Sequence, residues 1–238
     1  GQLTAGANST INPDATGTNA NTSYIYDAFG RIIQATTTTT NPDSTQNTNI
    51  VTYSYDSYGR VNQQTSVLTK PDGTVYIDVT TYTYDQYGRL SQSVTNRTQA
   101  GNPQVEIVTD YVYDQYGRLA SQTNTTTVQS TQGPITTVEV TNYAYDAYGR
   151  ILTQTTNRTN ADGSATIDVT TYTYDAFGRI QQSATDHTNA DGSTYHQEST
   201  YTYDAFGRVS QITSVKTQVI EGVTQTSTDV TTNTYDEF

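Results

Sequence analysis

The chain has 238 residues, a formal net charge of −12 and only 32% hydrophobic residues. Without Cys it has no disulfide framework and no thiol chemistry; no stretch is apolar enough to span a membrane as a helix; and its acidity disfavours nucleic acid and anionic lipid surfaces. Such a polar composition would suit disorder, but all of the 21 Tyr and 4 Phe except Tyr76 and Tyr195 fall on a fixed period.

The period is carried by an eight-residue phrase, Tyr-x-Tyr-Asp-x-(Tyr/Phe)-Gly-Arg. It occurs at Tyr24–Arg31, Tyr53–Arg60, Tyr82–Arg89, Tyr111–Arg118, Tyr143–Arg150, Tyr172–Arg179 and Tyr201–Arg208, and an incomplete eighth copy spans Asn233–Phe238. The second Tyr recurs in steps of 29, 29, 29, 32, 29, 29 and 32 residues. Repeats of this length signal a stacked array. Asn12-Pro13-Asp14 and Asn41-Pro42-Asp43 also lie 29 residues apart, so the first segment belongs to the same series.

Joining Phe238 to Gly1 completes the eighth copy with Gln2 in place of Arg, and the step to Tyr26 is again 29. Residues 1–238 thus read as one closed period of eight two-strand repeats. The closure predicts a tandem polypeptide or a head-to-tail filament built from copies of the chain. Gly1 as first residue and the absence of Met fit a section of a longer product.

Within each unit the pattern predicts two strands and two turns. Tyr76–Tyr84 and Arg89–Asn96 are strands of the third unit, joined by a three-residue loop in which Gly88 is left-handed. Lys70-Pro-Asp-Gly73, Asn160-Ala-Asp-Gly163 and Asn189-Ala-Asp-Gly192 mark the far turns. An odd repeat would flip each motif to the other face, so one loop must be odd and the other even, or a bulge must intervene. Three residues at the motif turn and four at the Asp-Gly turn place Tyr82, Tyr84, Leu90 and Val94 on one face. Ile77, Val79, Thr81, Thr83, Asp85 and Arg89 then share the other. The 32-residue units need a bulge or changed loop near Gln132-Gly-Pro134 and Glu221-Gly222. The expected fold is all-β: about sixteen antiparallel strands in hairpins, wound as a continuous sheet into a tube or solenoid.

In the motif, paired Tyr residues such as Tyr82 and Tyr84 are expected to form an aromatic ladder, Gly88 to make the turn, and Asp85 and Arg89 to pair across it. Seven identical Asp–Arg pairs argue against a catalytic centre, and the expectation is no enzyme and no cofactor. Glycan stacking on the Tyr rings is the binding alternative. His187 and His196 are expected as diagonal neighbours on one face near Glu198, a weak metal site at best. The Asn-x-Asp-Gly turns lack the ligands of a calcium loop. Thr36, Thr38, Thr40, Thr125 and Thr127 lie in Thr runs open to O-glycosylation, and Asn8, Asn21, Asn96, Asn124 and Asn157 head N-x-(Ser/Thr) sequons.

The phrase, as in Tyr82-Thr-Tyr-Asp-Gln-Tyr-Gly-Arg89, resembles the YD-repeat or RHS family in every unit. That resemblance implies β-hairpins joined edge to edge into a spiralling sheet, a microbial cell-surface or secreted location, and no catalysis by the repeats themselves. Family members include toxin shells, but this chain has no self-cleaving segment or variable tail, and its regular period favours an indefinite fibre. The expected function is a glycosylated extracellular structural fibre. A toxin shell and a glycan-binding adhesin stalk are the alternatives. Expected partners are further copies end to end and covalent glycans, with neither nucleic acid nor membrane insertion.

Overall fold

The structure is a computed structural model; it describes the backbone of residues 5–9 and all of residues 18–235. The junction Phe238–Gly1 and the Asn12-Pro13-Asp14 turn lie outside the described residues. The strands are β1 (Ala5–Ser9), β2 (Asn19–Tyr26), β3 (Ile32–Thr40), β4 (Gln46–Tyr55), β5 (Val61–Thr69), β6 (Val75–Tyr84), β7 (Leu90–Gln99) and β8 (Val105–Tyr113). They continue with β9 (Leu119–Ser130), β10 (Gly133–Tyr145), β11 (Ile151–Thr159), β12 (Ala165–Tyr174), β13 (Ile180–Thr188), β14 (Thr194–Tyr203), β15 (Val209–Ile220) and β16 (Val223–Thr232). The described residues form no helix; the protein is an all-β repeat in one open antiparallel sheet whose neighbours follow chain order. Two compact units divide it, Gly1–Asp110 with Thr125–Thr136, and Tyr111–Asn124 with Thr137–Phe238.

The motif makes a three-residue hairpin loop. Asp85 N–H donates to Arg89 O at 2.8 Å and Gly88 N–H to Asp85 O at 2.9 Å, with Gly88 at φ 81°. That left-handed conformation is easy only for Gly. The far turns correct the expected loop length. Lys70 N–H donates to Thr74 O at 2.8 Å and Gly73 N–H to Lys70 O at 3.0 Å, so this loop also has three residues.

With both loops odd, parity is restored by a bulge. Tyr84 pairs with Leu90 but Thr83 pairs with Gln92, leaving Ser91 extra. The same irregularity follows the turns after Tyr26, Tyr55, Tyr145, Tyr174 and Tyr203. A bulge of this kind flips subsequent side chains to the other face. Val94 accordingly pairs with Thr81, on the face opposite Tyr82 and away from its expected place beside it.

In a 32-residue unit the far loop itself changes. Ile220 pairs directly with Val223 across Glu221-Gly222, whose φ values are 51° and 77°. This is a two-residue turn of the primed type, which suits hairpin twist. Its even length matches the even repeat.

Both kinds of unit keep one stagger. Thr80 pairs with Thr95 and Thr95 with Ile107, which is the 29-residue equivalent of Asp78. Thr200 pairs with Thr213 and Thr213 with Val230, the 32-residue equivalent of Glu198. Each hairpin is therefore displaced two residues along the strand from the one before it.

The described residues form no apolar core. Among the described residues no hydrophobic side chain is buried, and only Thr109, Thr141 and Ser199 are. The Tyr face of β6 is half-buried along its length, while Ile77, Thr81 and Thr83 on the opposite face are exposed.

Candidate functional site

The chemistry of the chain concentrates along the edge formed by the motif turns. In the second copy, Asp56 Oδ1 accepts hydrogen bonds from the backbone N–H groups of Tyr58 and Arg60, both at 2.9 Å, and Oδ2 accepts from Arg60 Nε at 2.7 Å. One carboxylate thus closes its own turn and orients its own Arg. The Asp–Arg pair recurs at 2.6–2.7 Å in the other six complete copies.

Partial burial pushes the Asp85 carboxyl up, but hydrogen bonds from Arg89 and the Tyr87 N–H, with the guanidinium charge, outweigh it and leave its pKa below 3.8. The same balance lowers Asp27, Asp56, Asp114, Asp146, Asp175 and Asp204. These carboxyls are held ionised, the state of an acceptor and not that of a proton donor.

The Arg side chain, expected to face away from the Tyr pair, ends on a Tyr ring. The Arg60 guanidinium carbon lies 4.9 Å from the ring centroid of Tyr58 in its own turn and 4.3 Å from that of Tyr84 in the next hairpin. Arg31–Tyr55, Arg118–Tyr145, Arg150–Tyr174, Arg179–Tyr203 and Arg208–Tyr235 repeat the step at 4.2–4.4 Å. Such cation–π contacts contribute about 0.5–1 kcal/mol at exposed sites and more when desolvated.

The same Tyr also binds the bulge. Tyr84 donates its hydroxyl to Val61 O at 2.7 Å. Tyr55, Tyr145, Tyr174 and Tyr203 donate likewise to Ile32, Leu119, Ile151 and Ile180 at 2.6–2.8 Å. Ring and hydroxyl therefore hold each hairpin to its predecessor. At the second Tyr, the expected Tyr–Tyr ladder becomes an alternation of Tyr and Arg. Tyr24 and Tyr26 do remain in ring contact, at 6.3 Å and tilted 42°.

The sixth motif position behaves differently. Phe29, Tyr58, Tyr87, Tyr148, Phe177 and Phe206 are 72–85% exposed. Tyr82, Tyr84 and Leu90 instead line a groove of about 300 Å³ with Tyr53, Val61 and Gln64.

A second device escaped the sequence reading. Hydroxyl pairs bridge strands at Thr22–Thr37, Thr80–Thr95, Thr141–Thr156, Thr170–Thr185 and Ser199–Ser214, at 2.8–3.2 Å. The signal was a Thr or Ser two residues before the first Tyr, as in Thr80 and Tyr82. It was submerged in a chain where Thr is everywhere. One step beyond the hydroxyl pairs lie cross-strand ion pairs, with Arg97 bidentate on Asp78 at 2.8 Å and Arg158 paired with Glu139.

The structure separates the two histidines. His187 pairs in register with Asp168 and Tyr195, whereas His196 pairs with Asp186. Adjacent residues on a strand face opposite ways, so His187 and His196 lie on opposite faces, with Glu198 on the side of His196. The three-residue loop Ala190-Asp191-Gly192 shifts the register by one from the expected four-residue loop. No cluster of three potential ligands occurs among the described residues.

The sequon residues are spread through the strands. Asn21 is exposed, while Asn96, Asn124 and Asn157 are half-buried, as are Thr36, Thr38, Thr40, Thr125 and Thr127. Asn96 pairs with Val79 and Asn157 with Val140, on the face opposite the Tyr pairs. The side chain of Asn8 is outside the described residues.

No protein-family model and no curated relative matches the chain. Among solved structures it is similar to a porin-like protein from Bacteroides uniformis ATCC 8492, at 17% identity and a TM-score of 0.38, covering 93% of this chain and 92% of that one. A porin-like protein from Bacteroides vulgatus ATCC 8482 aligns at 15% identity and a TM-score of 0.37, covering 77% and 94%.

Proposed function

We propose that the chain is a structural section of an extracellular microbial fibre, in which hairpins continue one sheet from copy to copy and wind into a tube or solenoid. The observation that carries this reading is the lock between hairpins. Each unit contributes an Arg that its own Asp orients and that the Tyr of the next unit covers. Such a joint can be repeated without limit, and it needs no core. The uniform stagger supports winding: two residues per hairpin is about 6.8 Å along the strand against about 9.6 Å across it. That is a slope of roughly 35°, within the tilt at which sheets close into barrels.

The likeness of the motif to YD or RHS repeats supports a surface or secreted location. The acidic remainder of the chain, −10 outside the motif copies, would keep neighbouring fibres apart in solution. Asn21 is the most accessible of the described sequon residues, and glycans there would face water.

Electron microscopy of the native material tests the proposal directly. Filaments with a repeating axial rise support it, and closed, capped particles would favour the toxin-shell alternative. Denaturing mass measurement then separates a tandem polypeptide from head-to-tail assembly, and glycopeptide mapping tests the sugars. The adhesin alternative has less support at the second Tyr, because Tyr55, Tyr84, Tyr145, Tyr174 and Tyr203 each already carry an Arg and a backbone hydrogen bond. It is favoured now only at the exposed sixth-position rings, where loss of sugar retention on replacing those rings would decide for it.

A further inference from the structure

At the position where Asp78 meets Arg97 and Glu139 meets Arg158, the β12–β13 hairpin carries Asp168 and His187. His187 Nδ1 lies 2.5 Å from Asp168 Oδ1, and His187 Nε2 lies 2.9 Å from Asn189 Oδ1. The ring is stacked on Tyr195 at 4.6 Å with the planes 19° apart, and Lys216 Nζ sits 4.0 Å from the centre of Tyr195.

Both ring nitrogens thus face oxygen acceptors. The Asn189 amide is held with its oxygen toward the ring, because Nδ2 donates to Ser193 Oγ at 2.9 Å while the Ser193 hydroxyl itself bonds the Asp191 carboxylate. The preceding far turn fixes Asn160 on Ser164 in the same way, at 2.9 Å. An imidazolium satisfies two acceptors; a neutral imidazole has one N–H and leaves one contact without a hydrogen.

We propose that the Asp168–His187–Asn189 bridge is a proton-dependent joint that clamps the β13–β14 turn when His187 is charged and loosens it when His187 is neutral. The corresponding Asp78–Arg97 and Glu139–Arg158 joints carry a guanidinium, which stays charged at any physiological pH. One turn of the repeat is therefore conditional where its counterparts are permanent.

The surroundings agree in sign. The bonds to Asp168 and then Asn189 raise the pKa of His187 above 6.5, opposed by partial burial and, more weakly, by Lys216. On this face the charged neighbours are Asp168 of β12 and, farther along, the Glu139–Arg158 pair of β10 and β11, with the Tyr195 phenol of β14 and Lys216 of β15. Asp186 and His196 form their own contact at 2.7 Å on the opposite face. Because the folded pKa is raised, the stabilisation is fully present below the unfolded His value near 6.5. It is lost as pH rises through the folded value.

The test is amide hydrogen exchange of the full chain at pH 5.5 and pH 8.5, corrected for intrinsic exchange, with the imidazole titration of His187 followed by NMR. The expected result is a loss of protection at Asn189–Thr194 of about tenfold at the higher pH, with no comparable change at the Asn160 turn. His187→Arg should keep protection at both pH values, and Asp168→Asn should lower the titration midpoint of His187. Protection at Asn189–Thr194 that is equal at the two pH values would overturn the joint. So would a His187 midpoint that Asp168→Asn leaves in place. An Arg variant that loses protection with pH as the parent does would also count against it.

Discussion

Arg60 lies with its guanidinium carbon 4.3 Å from the ring centre of Tyr84, a residue of the following hairpin. The same Tyr donates its hydroxyl to Val61, the residue next to that Arg. A single side chain therefore grips both the cation and the bulge of its predecessor. Beside the backbone ladders, side-chain coupling between successive hairpins runs along this turn edge, and no buried apolar layer exists among the described residues to carry it.

The lock can be dissected at Arg150 and Tyr174. Tyr174→Phe removes the 2.6 Å hydroxyl bond to Ile151 O but keeps the ring over Arg150, and should cost about 0.5–1.5 kcal/mol. Arg150→Ala removes the cation that both Tyr148 and Tyr174 cover, together with its ion pair, and should cost more. Denaturant titrations of both variants check the order. A Phe variant more damaged than the Ala variant would place the coupling in the hydroxyl alone.

Glycine at the motif turn answers two demands, and a pair of substitutions separates them. Gly88 and Gly163 have nearly the same φ, 81° and 82°. A Cβ at Gly88 would lie 3.3 Å from Arg60 Nη1, whereas one at Gly163 meets nothing within 4 Å. Both Ala variants should lose about 1 kcal/mol or more to backbone strain. Gly88→Ala should lose more, and Arg60→Ala in the same chain should erase the difference. Thermal unfolding of the double variant is the measurement.

Ser44 is the converse case. It adopts φ 66° in the Asn41–Thr45 turn, where other far turns place Gly73, Gly163 and Gly192. Ser44→Gly should stabilise the chain by about 0.5–1 kcal/mol, read as a higher unfolding midpoint. No gain would mean that the Ser side chain compensates for its own strain.

Acid should weaken the turn edge. The motif carboxyls have folded pKa values below 3.8, so the unfolded chain binds protons first as pH falls. Their contribution is whole above the unfolded value and is lost as pH drops through the folded values. Unfolding midpoints measured from pH 5 downward should fall. Asp85→Asn, which cannot ionise, should show a shallower fall from a lower starting point. An equally steep acid limb would assign the loss to other carboxyls.

Much of this was legible in the sequence. The Asp, the Gly and the Arg four residues after the Asp specified the three-residue turn and its ion pair, because those are local relations. The far turns were legible as turns but not in length: Lys70-Pro-Asp-Gly73 suits either a three- or a four-residue loop. Choosing four left no need for a bulge, which kept Val94 on the wrong face, and it brought His187 and His196 together. A bulge at Ser91 has no local marker, since its only requirement is an extra residue opposite the partner strand.

The sequence by itself determined the unit, its turns and its alternation of strands, all set by neighbours along the chain and by period. Which residue answers which across the sheet was decided only by the tertiary structure. Register depends on where the odd residue is absorbed, and moving it from a loop to a bulge reversed the side chains between the bulge and the next far turn. The Arg60–Tyr84 contact exists because of that choice: the bulge and the two-residue stagger together bring a cation under the next hairpin's ring.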